Sequence, residues 1–137
     1  MQASLRGVGC DCLGLARGVW REVVGREPFP IPPYSRDWGE ICPREVQADG
    51  ARAMMPEIAA ADAPPGALIL FRMMPRAITK HVGILTSPVT FLHAYERLGV
   101  IEEPLTSAWR RRVRLPFPCS LRPSDGHARP WRCGCRR

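Results

Sequence analysis

No run in this 137-residue sequence approaches the ~18 to 20 consecutive apolar residues that a membrane-spanning helix needs, so insertion by such a helix is excluded. The opening MQASLRGVG also lacks the apolar stretch of a signal peptide, and the expected product is a soluble protein made in the cytoplasm. No internal repeat and no glycine-rich phosphate loop is visible, which argues against repeat architectures and P-loop nucleotide sites. Histidine is scarce: only His81, His93 and His127 offer an imidazole for acid–base chemistry near neutral pH. The six cysteines (Cys10, Cys12, Cys42, Cys119, Cys133 and Cys135) are too sparse for a disulfide scaffold, and no export signal accompanies them, so reduced thiols are expected.

What is present is the composition of an ordinary globular protein, 45% apolar and 24% charged, in a chain long enough for one domain with its own core. The net charge of +7 is unevenly placed. Residues 1–109 hold 11 Arg and Lys against 12 Asp and Glu, a net of −1, whereas residues 110–137 hold nine Arg against Asp125 alone, a net of +8. A charge run of this kind without a nucleic-acid module or stacking aromatics reads as a solvated tail, and specific nucleic-acid binding is not expected. From residue 118 the composition is Pro, Arg, Ser, Gly and Cys without periodicity, so 118–137 is predicted to be a disordered basic tail on a domain of residues 1–117.

From Cys12 the apolar positions Leu15, Ala16, Val19, Trp20 and Val23 follow helical spacing, with Arg17, Arg21 and Glu22 on the other face. Asp11 stands as N-cap and Gly25 as stop, which predicts a helix over 12–24. Five prolines between residues 28 and 43 predict an ordered loop, a weaker helix is predicted over 44–60, and Pro64-Pro65-Gly66 marks a turn. Strands are predicted at 67–73, 80–86, 89–96, 99–103 and 112–115. Helices first and strands afterwards read as an α+β fold with an antiparallel sheet.

A thiol reacts as thiolate, and a helix N-terminus favours the anion through its unpaired N–H groups and dipole. Cys12 occupies that place, and the same N–H groups suit an oxyanion. For a random cysteine, burial on an apolar face is the commoner role, so a base must be found. A hairpin turning about Ser87-Pro88 sets residue 81 opposite 93 and puts both imidazoles on one sheet face. His81 is then placed to take the thiol proton while His93 holds its other nitrogen, the nucleophile–base–orienter logic of cysteine peptidases.

Four segments now resemble a known family. Asp11-Cys12-Leu13-Gly14-Leu15, Pro65-Gly66-Ala67-Leu68-Ile69, His81-Val82-Gly83-Ile84 and Leu92-His93-Ala94 look like the ordered landmarks of NlpC-type cell-wall peptidases, over residues 5–117. Leu13 stands where the commonest form has Ser, and Ala67 where it has Asp. Cys10-Asp11-Cys12 followed by Arg17-Gly18-Val19-Trp20-Arg21-Glu22 most resembles the branch found in phage tails and gene transfer agents.

The resemblance implies a papain-like fold, with the catalytic helix packed on an antiparallel sheet. It implies Cys12 as nucleophile, His81 as general base and then acid, and His93 as the orienting residue. The substrate implied is the stem peptide of peptidoglycan, no cofactor is needed, and the partners implied are phage-like tail proteins, with the protein ending on a virion or tail particle. Tyr34 and Trp38, in the loop after the catalytic helix, are expected to contact substrate. Family members carry a helix and a Tyr ahead of the cysteine motif, and only eleven residues precede Cys12 here. A tail-assembly or wall-binding protein that keeps the fold without strong catalysis is therefore the alternative. A zinc site at Cys10 and Cys12 or at Cys133 and Cys135 is not expected, since structural zinc pairs usually have two to four residues between ligands.

Overall fold

The computed structural model describes residues 4–5, 9–27, 30–31 and 44–118. Two short strands, β1 (Ser4–Leu5) and β2 (Gly9–Cys10), pair antiparallel and lead directly into helix α1 (Cys12–Val23). That helix starts where its sequence signals lie. Asp11 has extended backbone (φ −81°, ψ 175°), and its carboxylate accepts from the Gly14 N–H at 2.6 Å. At the other end the N–H groups of Val24 and Gly25 both return to the Trp20 carbonyl, and Gly25 takes the left-handed φ of 110° that glycine tolerates best.

Helix α2 (Val46–Met54) is shorter than the predicted 44–60. Met55 precedes Pro56, whose ring disfavours helical geometry in the residue before it, and Met55 is accordingly extended (φ −143°, ψ 144°). A single 3-10 turn at Ala60–Asp62 carries the chain on to the turn at Gly66, where φ is 89°.

The strands are β3 (Leu68–Phe71), β4 (His81–Ser87), β5 (Thr90–Tyr95), β6 (Gly99–Pro104) and β7 (Val113–Phe117), with the one-turn helix α3 (Ser107–Arg110) between the last two. They form an antiparallel sheet in the order β6-β5-β4-β3-β7. Pro116 is tolerated because β7 is an edge strand. The fold is thus α+β, with the cysteine-bearing helix packed on an antiparallel sheet, as the element order predicts.

One register differs from expectation. Ile84 faces Leu92 and Leu85 faces Phe91, and a bulge then sets Ser87 against Thr90. Continued along the strands, this places His81 level with Tyr95 and His93 level with Gly83, two residues from the predicted pairing. The bulge displaces the turn that the sequence reading centred on Ser87-Pro88. Because the shift is even, side-chain parity survives and both histidines still emerge on one face.

The sheet has an apolar cluster on each side. Ala16 of α1 and Ala48 and Ala51 of α2 pack on Leu70, Val82 and Phe117, with Cys12 and Trp20 at the margin. On the other face Ile69, Phe71, Leu85 and Phe91 pack with Leu105 and Trp109. The imidazoles of His81 and His93 join this second group. Among the described residues, no helix is long and apolar enough to cross a membrane.

Candidate active site

Cys12 is the first residue of α1, and its position follows from the cap. Asp11 takes the Gly14 N–H with its side chain and the Leu15 N–H with its carbonyl. The N–H groups of Cys12 and Leu13 are left to favour a negative sulfur, as does the N–H of Val82 on β4. Burial outweighs them and raises the thiol pKa, with the neighbouring charge of Asp11 adding to the rise. Cys10 is a second free thiol, also raised by burial and by Asp11.

The sulfur lies against the main chain of β4 on both sides of His81. It contacts the Lys80 carbonyl at 3.9 Å, and the Val82 N–H is its other β4 neighbour. Among the described residues, the sulfur's hydrogen-bond partners are main-chain groups, the Lys80 carbonyl and the N–H groups of Val82, Leu13 and Cys12, and no hydrogen bond joins it to the His81 ring. Ladder pairing between β4 and β5 starts only at Ile84 and Leu92, so the His81 end of β4 is unpaired on its β5 side. Cys12 meets this end of β4 from the helix side, while the imidazoles pack with the cluster on the other face.

The two histidines are joined directly. His81 Nε2 lies 2.8 Å from His93 Nδ1, and His93 Nε2 lies 2.7 Å from Oε1 of Glu103 on β6. The β5–β6 register sets Phe91 against Glu103 and His93 against Ile101, which puts the carboxylate on the imidazole face. His93 is fully buried, while the Glu103 side chain keeps 33% of its surface. Burial pushes the His81 pKa down to about 4, helped by the proximity of His93. Burial also lowers His93, against the opposing pull of Glu103.

Aromatic rings enclose the pair. Trp109 stacks on His81 with centroids 6.0 Å apart and meets His93 edge-on at 5.4 Å, and Phe71, Phe91 and Tyr95 complete the surround. The Arg112 guanidinium lies 5.2 Å from the Trp109 ring centre. Gly83 is needed where Phe71 and Phe91 close over β4: a Cβ there would lie 2.8 Å from Phe91 Cδ2 and 3.2 Å from the Leu92 carbonyl oxygen.

Of the predicted site residues, the structure joins His81 to His93 and brings Cys12 to the main chain flanking His81. Tyr34, Trp38 and residues 119–137 lie outside the described residues. Among the described residues, no three His, Cys, Asp or Glu side chains cluster as a metal site. Glu103 was missed by the sequence reading, although its strand was predicted. It falls on the histidine face through the β5–β6 register, which pairs it with Phe91.

A cysteine at the start of a helix that rests on a histidine-bearing antiparallel sheet is the plan of papain-like proteins. The family model described as NlpC/P60 family matches residues 2–116, and the chain belongs to that family, whose members are generally cell-wall peptidoglycan hydrolases. Among solved structures, a protein from Staphylococcus aureus subsp. aureus Mu50, described as similar to lipoprotein, NLP/P60 family, resembles the chain with a TM-score of 0.56 and 21% identity. The match covers 86% of this chain and 35% of the staphylococcal one, so the likeness is one of fold and spans only part of that protein. A comparison with curated proteins finds no match.

Proposed function

We propose that this chain is a cysteine endopeptidase that hydrolyses amide bonds in peptidoglycan stem peptides, with Cys12 as nucleophile, His81 as general base and His93 as the residue that orients it. The observation that carries the reading is the 2.8 Å hydrogen bond between His81 Nε2 and His93 Nδ1. It leaves Nδ1 of His81 for proton transfer, on the strand that the Cys12 sulfur touches.

In the proposed reaction the thiol gives up its contact with the Lys80 carbonyl and passes its proton to His81 Nδ1 as the sulfur attacks the substrate carbonyl carbon. The N–H groups of Cys12 and Leu13 stabilise the oxyanion. When the intermediate collapses, the C–N bond breaks and the departing amine takes the proton from His81, leaving a thioester. Water then attacks the thioester and gives a proton to His81, and the acid and the Cys12 thiol are regenerated. Burial raises the thiol pKa and lowers that of His81, so the resting pair is neutral and proton transfer accompanies attack.

The motif around Cys10, Asp11 and Cys12 extends the proposal to an enzyme carried on a phage tail or gene transfer agent particle, with tail proteins as partners and Tyr34 and Trp38 as substrate contacts. Purified protein incubated with peptidoglycan is expected to release soluble stem-peptide fragments, and Cys12→Ala to abolish the release. Equal release by that variant overturns the assignment. The sulfur's hydrogen bond to Lys80 rather than to His81 favours a second reading, a wall- or tail-binding protein with weak catalysis. No release by the wild type, together with its retention on peptidoglycan, selects the second reading.

A further inference from the structure

The hydrogen-bond chain continues past the two histidines to Glu103, and its far end decides what its near end can do. An ionised carboxylate only accepts hydrogen bonds. The 2.7 Å contact therefore requires His93 Nε2 to carry the hydrogen. A neutral imidazole has one N–H, so His93 Nδ1 is then an acceptor, and the 2.8 Å contact makes His81 Nε2 the donor to it. His81 Nδ1 is left with a free lone pair.

We infer that Glu103 is a positioning residue: by accepting from His93 it fixes the tautomers of both imidazoles, so that His81 Nδ1 is the basic nitrogen. The inference rests on the proposed function only for its consequence, since the tautomer assignment concerns the resting protein. The setting is built for one arrangement. His93 is fully buried between Phe91, Tyr95 and Trp109, so the relay competes little with solvent. Glu103 is held on the same face by the β5–β6 register. When His81 takes the thiol proton, the positive charge that forms is bonded through His93 to the carboxylate, which stabilises the imidazolium.

Glu103→Gln separates this role from simple packing. The amide keeps size and hydrogen bonding, but it can donate to His93 Nε2 as well as accept. Donation reverses the relay, places a hydrogen on His81 Nδ1 and removes the base. The expected result is a kcat on peptidoglycan lowered at least about 10-fold with little change in KM, by analogy with the loss of orienting partners elsewhere. Glu103→Ala, which leaves His93 Nε2 to water, is expected to lower kcat as well, and urea unfolding of both variants checks that each is folded.

Nitrogen-15 NMR of the imidazoles near neutral pH reads the tautomers without any substrate. Both rings are expected as Nε2–H in the wild type, with Nδ1–H forms growing in at His81 and His93 in Glu103→Gln. Wild-type tautomers and kcat retained in Glu103→Gln overturn the inference. Tautomers that change in a protein with no wall hydrolysis at all support the positioning role and reject the hydrolase reading instead.

Discussion

Acidification should destabilise this protein through a buried histidine. His81 is buried among Phe71, Tyr95 and Trp109, and its pKa falls from 6.5 to about 4. The unfolded chain therefore binds a proton at this site over the window from 6.5 down to about 4, while the folded chain does not. Stability is complete above the unfolded value and is lost as pH falls through the folded one. A difference of that size corresponds to about 3 kcal/mol, with a slope of about 1.4 kcal/mol per pH unit inside the window. His93 is shifted in the same direction and steepens the loss. Typical domains have ~5 to 15 kcal/mol in total, so the effect is a large part of the whole. Urea unfolding at half-unit steps between about pH 7.5 and about pH 4.5 measures it. His81→Gln, whose amide can still donate to His93 Nδ1, is expected to show a slope shallower by about one proton over the same range. Identical slopes for the two proteins would refute the assignment of the lost stability to His81.

Three further outcomes are expected. Asp11→Asn keeps a good N-cap but removes the charge that helps burial raise the Cys12 thiol, so the pH dependence of iodoacetamide alkylation at Cys12 should move to lower pH; an unchanged or higher midpoint counts against the electrostatic account. Gly83→Ala brings a methyl within 2.8 Å of the Phe91 ring and should cost about 1 to 3 kcal/mol in urea unfolding, whereas a neutral result means that the rings over β4 yield freely. Trp109→Ala removes the ring that stacks on His81 and packs with Phe71 and Phe91, and a loss of about 3 to 5 kcal/mol is expected. A loss below about 1 kcal/mol would mean that α3 contributes little to the core.

Local signals in the sequence determined much of this protein. Asp11 and Gly25 mark the ends of α1 because capping is a contest over hydrogen bonds a few residues away, settled within the segment itself. Alternation in β4 and β5 was enough to put His81 and His93 on one face, since parity survives any even shift of register. The actual register was not legible, because the bulge at Leu85–Ser87 depends on how the turn fits the rest of the sheet. Helix α2 came out shorter than its pattern because the local rule at Pro56 overrode it, and that rule was readable in advance.

Tertiary structure alone decided where charge and solvent lie around the site. Burial lowers His81 and raises Cys12, and no spacing of residues along a chain encodes how much water reaches either group. The place of Glu103 is the plainest case. Its strand was predicted, but its contact with His93 exists only because β6 pairs with β5 in one register, which sets Phe91 opposite Glu103 and brings the carboxylate to the second imidazole.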